Sequence, residues 1–386
     1  MTKTSSHSSR KGPLIKNKTL RKTVHAILVT LGLILIVIIS YLLYVFTSFY
    51  RQPDNLALTP FSKTSQVNEE TGSVSGPKSI HTNETYSILT YNVGFGAYTP
   101  DYSFFMDGGE SSWAESKEAL NQTLDGLAST ISGIDPDFIL LQEVDTDGTR
   151  SYHVDEVSFF EQNLSYENYV FAQNYDSAFL FYPITEPHGA NRSGIVTGTH
   201  TGITSALRRS LPIASSVKKI LDYDRCYSIT RIPVDASDGN RELVIFNVHM
   251  SAYGTDESVR EGQFSMLAED MQKEYQAGNY VICGGDFNHN LRKGGSENAP
   301  DWAQPFPREA LPTGMQVAFD AENAELHIEH DSCRNADKAY DPASSFTVLA
   351  DGFLVSGNVK VVRYESKDLG YAYSDHDPVV MEFMLE

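Results

Sequence analysis

Carboxylates, amides and two histidines recur in this chain at one kind of place, the end of a short apolar run. Asn92 follows Leu89-Thr90-Tyr91, Glu143 follows Ile139-Leu140-Leu141-Gln142, and His249 follows Ile245-Phe246-Asn247-Val248. Asp286 and Asn288 come just after Val281-Ile282-Cys283. Asp351 precedes Gly352-Phe353-Leu354-Val355, and Asp375-His376 precede Asp377-Pro378-Val379-Val380. Taken singly, an Asp or Asn at such a place is an ordinary turn former. Taken together, and with the strands aligned, they predict one rim of carboxylates and amides with two histidines nearby. Oxygen donors of that kind suit Mg²⁺ or Mn²⁺ and fit zinc poorly.

The elements that must position these residues are legible as apolar runs of four to eight residues. Strands are predicted at Ser87 to Val93, Phe138 to Leu141, Leu243 to Val248, Tyr280 to Cys283, Phe353 to Ser356 and Pro378 to Leu385. Between them, Leu120, Leu124, Leu127 and Ile131 recur at near-helical intervals behind a capping box at Ser112 and Glu115. Phe264, Leu267, Met271 and Tyr275 do the same behind Ser258 and Glu261. Interleaved strands and helices predict an α/β or α+β class, with sheets covered by helices.

From Val24 to Phe46 the chain carries no Asp, Glu, Lys or Arg, which is about the length a helix needs to cross a bilayer. A cleaved signal peptide has a shorter apolar region, about 7 to 15 residues. Seven of the eight basic residues in 1–51 precede the run, and that stretch has no acidic residue. The positive-inside rule then predicts a single-pass cell-membrane anchor with a cytoplasmic N-terminus and everything after Arg51 outside. The expected organisation is a basic tail over 1–23, an anchor over 24–46, a flexible linker over 47–85 spanning roughly 35 Å, and a folded domain over 86–386.

The 386 residues are 41% hydrophobic and 21% charged, which excludes wholesale disorder. Beyond Arg51 there are 22 basic and 50 acidic residues, a balance of −28 that disfavours a broad DNA-coating role. Three cysteines, Cys226, Cys283 and Cys333, are too few for a disulfide scaffold and match no zinc spacing. Cys283 reads as a core thiol, and a bridge between Cys226 and Cys333 stays open.

Six blocks together resemble the endonuclease/exonuclease/phosphatase superfamily, the deoxyribonuclease I-like enzymes. They are TYNVG (90–94), ILLQEVD (139–145), VIFNVHMSA (244–252), ICGGDFNHN (282–290), ADGFLVS (350–356) and YSDHDPVVMEF (373–383), in the family's order. The resemblance implies a four-layer sandwich, two mixed β-sheets packed face to face and flanked by helices. It implies a metal-dependent phosphoester hydrolase with Mg²⁺ or Mn²⁺ as cofactor. Glu143 becomes the principal metal ligand, assisted by Asn92, with Asp375 near the metal or orienting its water. His376 becomes the essential histidine held by Asp351, Asp286 and Asn288 position the attacking water and a phosphoryl oxygen, and His249 contacts the phosphate. His376 and Asp286 are both candidates to take the water's proton.

The substrate is less legible. Residues 194–202 depart from the serine-containing block that many family members carry, and Asn290 stands where inositol polyphosphate enzymes usually have Arg. Phe95, Tyr98, Tyr102, Phe104, Phe105 and Met106 form an aromatic loop able to touch lipid or stack a base, with simple loop packing as the plainer reading. Arg192 is a candidate to clasp a phosphate, whereas Arg208-Arg209 and Lys218-Lys219 read as solvated charges. The expected activity is on a phospholipid head group or other small phosphoester, with nucleic acid possible as substrate. An extracytoplasmic nuclease is the alternative, and a non-catalytic binding module is disfavoured because all eight motif positions keep usable side chains. No protein partner is implied.

Overall fold

The computed structural model describes residues 18–62, 79–214, 224–235, 240–251, 257–294, 299–300 and 302–386. It divides into one unit ending at Ser48 and one beginning at Phe49. Among its described residues the first contains one helix, Lys18–Ser48, long and apolar enough to cross a membrane. Its 31 residues enclose the whole Val24 to Phe46 run and measure about 46 Å along the axis.

The second unit is built on two mixed sheets. One has the strand order Glu325–His327, Val359–Ser366, Val379–Leu385, Thr85–Asn92, Phe138–Gly148, Asn191–Thr199, Asn168–Asp176. The other runs Leu56–Leu58, Ser205–Ser210, Cys226–Asp235, Glu242–His249, Tyr280–Asp286, Asp351–Ser356, Met315–Val317, with Ile80–His81 also on Cys226–Asp235. Side chains alternate along each strand, so one strand serves two cores. Phe138 and Leu140 join Phe246, Ile282 and Phe353 between the sheets. Ile139 and Leu141 join Leu120, Leu124, Leu127 and Ile131 of the Lys117–Ile134 helix. The Glu257–Gln276 helix contributes Phe264, Leu267 and Met271 to the cluster that includes the second sheet. The result is the expected four-layer sandwich.

Two parallel pairings explain why polar residues collect at one end. Thr85–Asn92 runs parallel to Phe138–Gly148, setting Asn92 beside Gln142. Glu242–His249 runs parallel to Tyr280–Asp286, setting His249 beside Asp286, and the antiparallel Asp351–Ser356 strand begins opposite Asp286. Deeper in, the Gln142 amide donates to Asn247 Oδ1 at 2.8 Å and Asn247 donates to the Val196 carbonyl at 2.9 Å. These buried amides satisfy one another across the inter-sheet core.

Several expectations need correction. The 47–85 stretch is not simply a linker: Leu56–Leu58 is an edge strand on Ser205–Ser210, and Phe61 exchanges backbone hydrogen bonds with Tyr169. Arg51 pairs with Asp224 at 2.6 Å. Only Phe49 and Tyr50 lie in sequence between the helix and Arg51. Three-residue strands carry too little periodicity to be read in advance. The Lys117–Ile134 helix is capped by Ser116, which accepts from the Ala119 N–H, rather than by the Ser112 box. Ser258 lies inside the Glu257–Gln276 helix. Arg208 is buried and pairs with Asp224 at 2.8 Å, and Arg209 pairs with Asp54 and Asp270, so neither is a solvated charge. Lys218 and Lys219 lie outside the described residues. All three cysteines are buried free thiols.

Candidate metal and catalytic centre

Eight of the nine residues singled out in the sequence converge where the two sheets meet. Asp286 is central. Its Oδ2 accepts from Asn92 Nδ2 at 3.1 Å, and its Oδ1 accepts from the Asn288 N–H at 2.8 Å. His249 Nε2 lies 3.5 Å and His376 Nε2 3.9 Å from the same Oδ2. Asn92 also reaches Glu143 Oε1 at 3.4 Å, so one amide ties the two sheets together. Asn288 is fixed by its own amide, which donates to the Met250 carbonyl at 2.9 Å.

Glu143 gets its position from a break in the ladder. It sits at φ 57° where the register to Asn191–Thr199 shifts between Leu141 and Val144. Such a bulge re-aims a side chain that a regular strand would point elsewhere. Asp375 is placed by a loop pinned at both ends: its carbonyl accepts the Arg334 N–H at 2.9 Å, and Ser374 Oγ donates to the Asn92 carbonyl at 2.8 Å. Gly94 makes room beside it. At φ +52°, a Cβ there would meet Tyr98, Ser374 Oγ and Asp375 Oδ1, so a larger residue would fill the space in front of the carboxylate.

His376 is held from behind, its Nδ1 lying 2.7 Å from Asp351 Oδ2. Ser332 Oγ donates to the same Oδ2 at 2.8 Å. Burial opposes a charge on His376, but Asp351 and Asp375 outweigh it and raise the imidazole well above its ordinary value. His249 goes the other way: burial, together with Arg225, His376 and Arg150, pushes it well below the ordinary value and leaves it neutral. Burial and Asp351 push Asp286 up to about 7. Burial also raises Glu143, despite the opposing field of Arg150, and raises Asp375.

The donor set fits a hard divalent cation. Glu143 and Asp375 keep partial solvent access while Asn92, Asp286 and Asp351 are buried. The pKa values of Glu143, Asp286 and Asp375 are all pushed upward, the electrostatic deficit that a bound cation relieves. Asp286, Asp351 and His376 also present ligand atoms within 4.8 Å of one another. There His376 Nδ1 is already engaged by Asp351, so this trio is an acid–histidine pair with a neighbour, and the oxygen-rich side at Glu143 suits the cation better.

Arg192 is not gathered in. Its side chain is 57% exposed and its ion pair is with Asp176. Sequence reasoning missed Arg150, Arg225, Ser332, Arg334 and Ser374. Arg150 is fully buried, bound to Asp145 through Nε at 3.0 Å and Nη2 at 2.7 Å, with its guanidinium 3.8 Å over the Phe95 ring. Ser374 lies inside the YSDHDPVVMEF block. The others had no signal beyond their residue type. In the aromatic loop, Phe95, Tyr98, Tyr102 and Phe104 are buried against one another, which bears out loop packing.

With this geometry in place, the comparisons with known proteins agree. The chain belongs to the Endonuclease/Exonuclease/phosphatase family, whose model matches residues 89–376. Among solved structures it is similar to an endonuclease/exonuclease/phosphatase from Beutenbergia cavernae, at 14% identity and a TM-score of 0.55, covering 78% of this chain and 72% of that one. A family protein from Leptotrichia buccalis is similar at 18% identity and 0.51, over 78% of this chain and all of the other. A mannosyl-6-phosphatase from Bacteroides thetaiotaomicron is similar at 16% identity and 0.50, with the same coverage. These identities speak for the fold alone. No curated protein sequence matches the chain. Family membership makes the chain a hydrolase of the phosphatase and nuclease kind.

Proposed function

We propose that this protein is a Mg²⁺- or Mn²⁺-dependent phosphoester hydrolase, held at the cell membrane by the Lys18–Ser48 helix with its N-terminus cytoplasmic and its catalytic domain outside. The observation that carries the reading is the convergence of Asn92, Glu143 and Asp375 with His249, Asp286, Asn288 and the Asp351–His376 pair at one rim. Glu143, Asn92 and Asp375 would hold the cation, which would supply neutralisation of the charge building on the phosphoryl oxygens. Asp286, set between two histidines and steadied by Asn288, orients the attacking water and takes its proton. His249 and the charged His376 donate N–H groups to phosphoryl oxygens, and Asp351 fixes the His376 tautomer.

The substrate class we favour is a phospholipid head group or other small phosphoester. A domain with 50 acidic and 22 basic residues beyond Arg51 opposes the approach of a polyanion. Initial rates on sphingomyelin, phosphatidylinositol phosphates, soluble phosphomonoesters, RNA and plasmid DNA, in matched metal and salt, test this. Plasmid cleavage far outpacing the small and lipid substrates would replace it with an extracytoplasmic nuclease. Topology is tested separately: protease added to intact cells should digest the domain and spare an N-terminal tag.

A further inference from the structure

Six large apolar side chains outside the Lys18–Ser48 helix are strongly exposed among the described residues, and three fall within four positions: Phe181 at 58%, Tyr182 at 70% and Ile184 at 88%. A fourth, Met106, directly follows Phe105, whose ring packs on Tyr182 with centroids 5.9 Å apart. Single exposed apolar residues are ordinary, whereas a contiguous group marks a contact surface.

The exposure is built into the loop. Leu180 and Gly189 exchange backbone hydrogen bonds at 3.0 Å, and the His188 N–H donates to the Tyr182 carbonyl at 3.2 Å. Trp113 Nε1 donates to the Pro187 carbonyl at 2.7 Å, and the Ser112 N–H to Glu186 Oε2 at 2.9 Å. The base of the loop is therefore fastened to the domain while its tip points apolar groups outward. Residues 177–185 contain no charged side chain.

We propose that this tip, Phe181 to Ile184 with Met106, inserts into the interfacial layer of a lipid bilayer. The inference rests on the membrane attachment proposed above and adds a second, independent point of contact. Only Phe49 and Tyr50 separate the helix from Arg51, which is bound to Asp224 in the domain, so anchoring the helix in a bilayer raises the effective concentration of lipid that the domain meets. At that effective concentration a small apolar insertion suffices to fix orientation. Aromatic rings with a polar tip, as in Tyr182, favour this layer. An uncharged tip suits an acidic domain, because insertion then needs no attraction to anionic lipid. The tip leans on the segment that follows Asn92, whose Tyr98 packs against Gly94 beside Asp375, so the same contact orients the rim holding Glu143 and Asp375.

The test uses the full chain reconstituted in phosphatidylcholine vesicles. A nitroxide is placed through Ile184→Cys, and in a second sample through Lys360→Cys on an exposed strand position; the native cysteines are buried. Power saturation should show the label at 184 colliding preferentially with oxygen and the label at 360 with a water-soluble nickel chelate. The same collision preference at both sites would overturn the proposal. So would spin–spin broadening at 184 that is equal in vesicles and detergent, which would identify a second copy as the occupant. Flotation of the same samples separates the two ideas. A chain that fails to float with vesicles defeats the membrane attachment itself, while one that floats with a water-exposed label at 184 defeats only the insertion.

Discussion

Asp351 stands across the ladder from Asp286, yet its Oδ2 turns to His376 Nδ1 at 2.7 Å. Two neighbouring carboxylates thereby take different partners, one a single histidine and one the Asn92 and Asn288 amides beside His249. That division is expressed in their partners: Asp351 is steadied by Ser332, and Asp286 by Asn92 and Asn288.

Asp351→Asn keeps the size of the side chain and removes the charge that holds His376 protonated and oriented. Turnover should fall by about 10² or more, as it should for His376→Ala, and the double variant should be little worse than either alone. Steady-state rates on one phosphoester check this. Losses that multiply in the double variant would show that the two residues act separately.

Arg150 lies over Phe95 and grips the buried Asp145, five residues before it and two after Glu143. Arg150→Met should destabilise the domain by about 3–5 kcal/mol by leaving Asp145 buried without its countercharge, and adding Asp145→Asn should recover part of that loss. Denaturant unfolding of the detergent-solubilised chain measures both. A loss under about 1 kcal/mol in the single variant would contradict the assignment.

His188 is buried between Phe104 and Phe105, and burial, helped by Arg150, lowers its pKa from 6.5 to about 3. Between those values the unfolded chain binds the proton and the folded chain does not. Its contribution is therefore complete above pH 6.5 and is lost as pH falls towards 3. At two pH units below the unfolded value the loss is about 2–3 kcal/mol. His188→Gln should flatten the acid limb of a stability-versus-pH curve relative to the unsubstituted chain. Parallel acid limbs would count against the burial argument.

The rim was legible because its residues interrupt apolar strands, and such interruptions survive in a sequence without any knowledge of pairing. Glu143 is the clearest case, since a charged residue directly after Leu140-Leu141-Gln142 makes no sense in a fully buried strand. The arginines were not legible. Arg150, Arg208 and Arg334 look like solvated charges until the fold supplies Asp145, Asp224 and the carbonyls of Thr99 and Tyr102 as buried partners. Strands such as Asn191–Thr199 were missed for a related reason: only Ile195 and Val196 are strongly apolar there, and their pairing, not their composition, makes them sheet.

The most direct test of the account is the metal requirement of hydrolysis and its dependence on Glu143. The full chain in detergent should hydrolyse bis(p-nitrophenyl) phosphate or a natural phosphoester with Mg²⁺ or Mn²⁺, lose that activity in chelator, and regain it when the ion is restored. Glu143→Gln should raise the metal concentration for half-maximal rate by at least about tenfold. Undiminished hydrolysis in chelator, or an unchanged metal titration in Glu143→Gln, would contradict the centre described here.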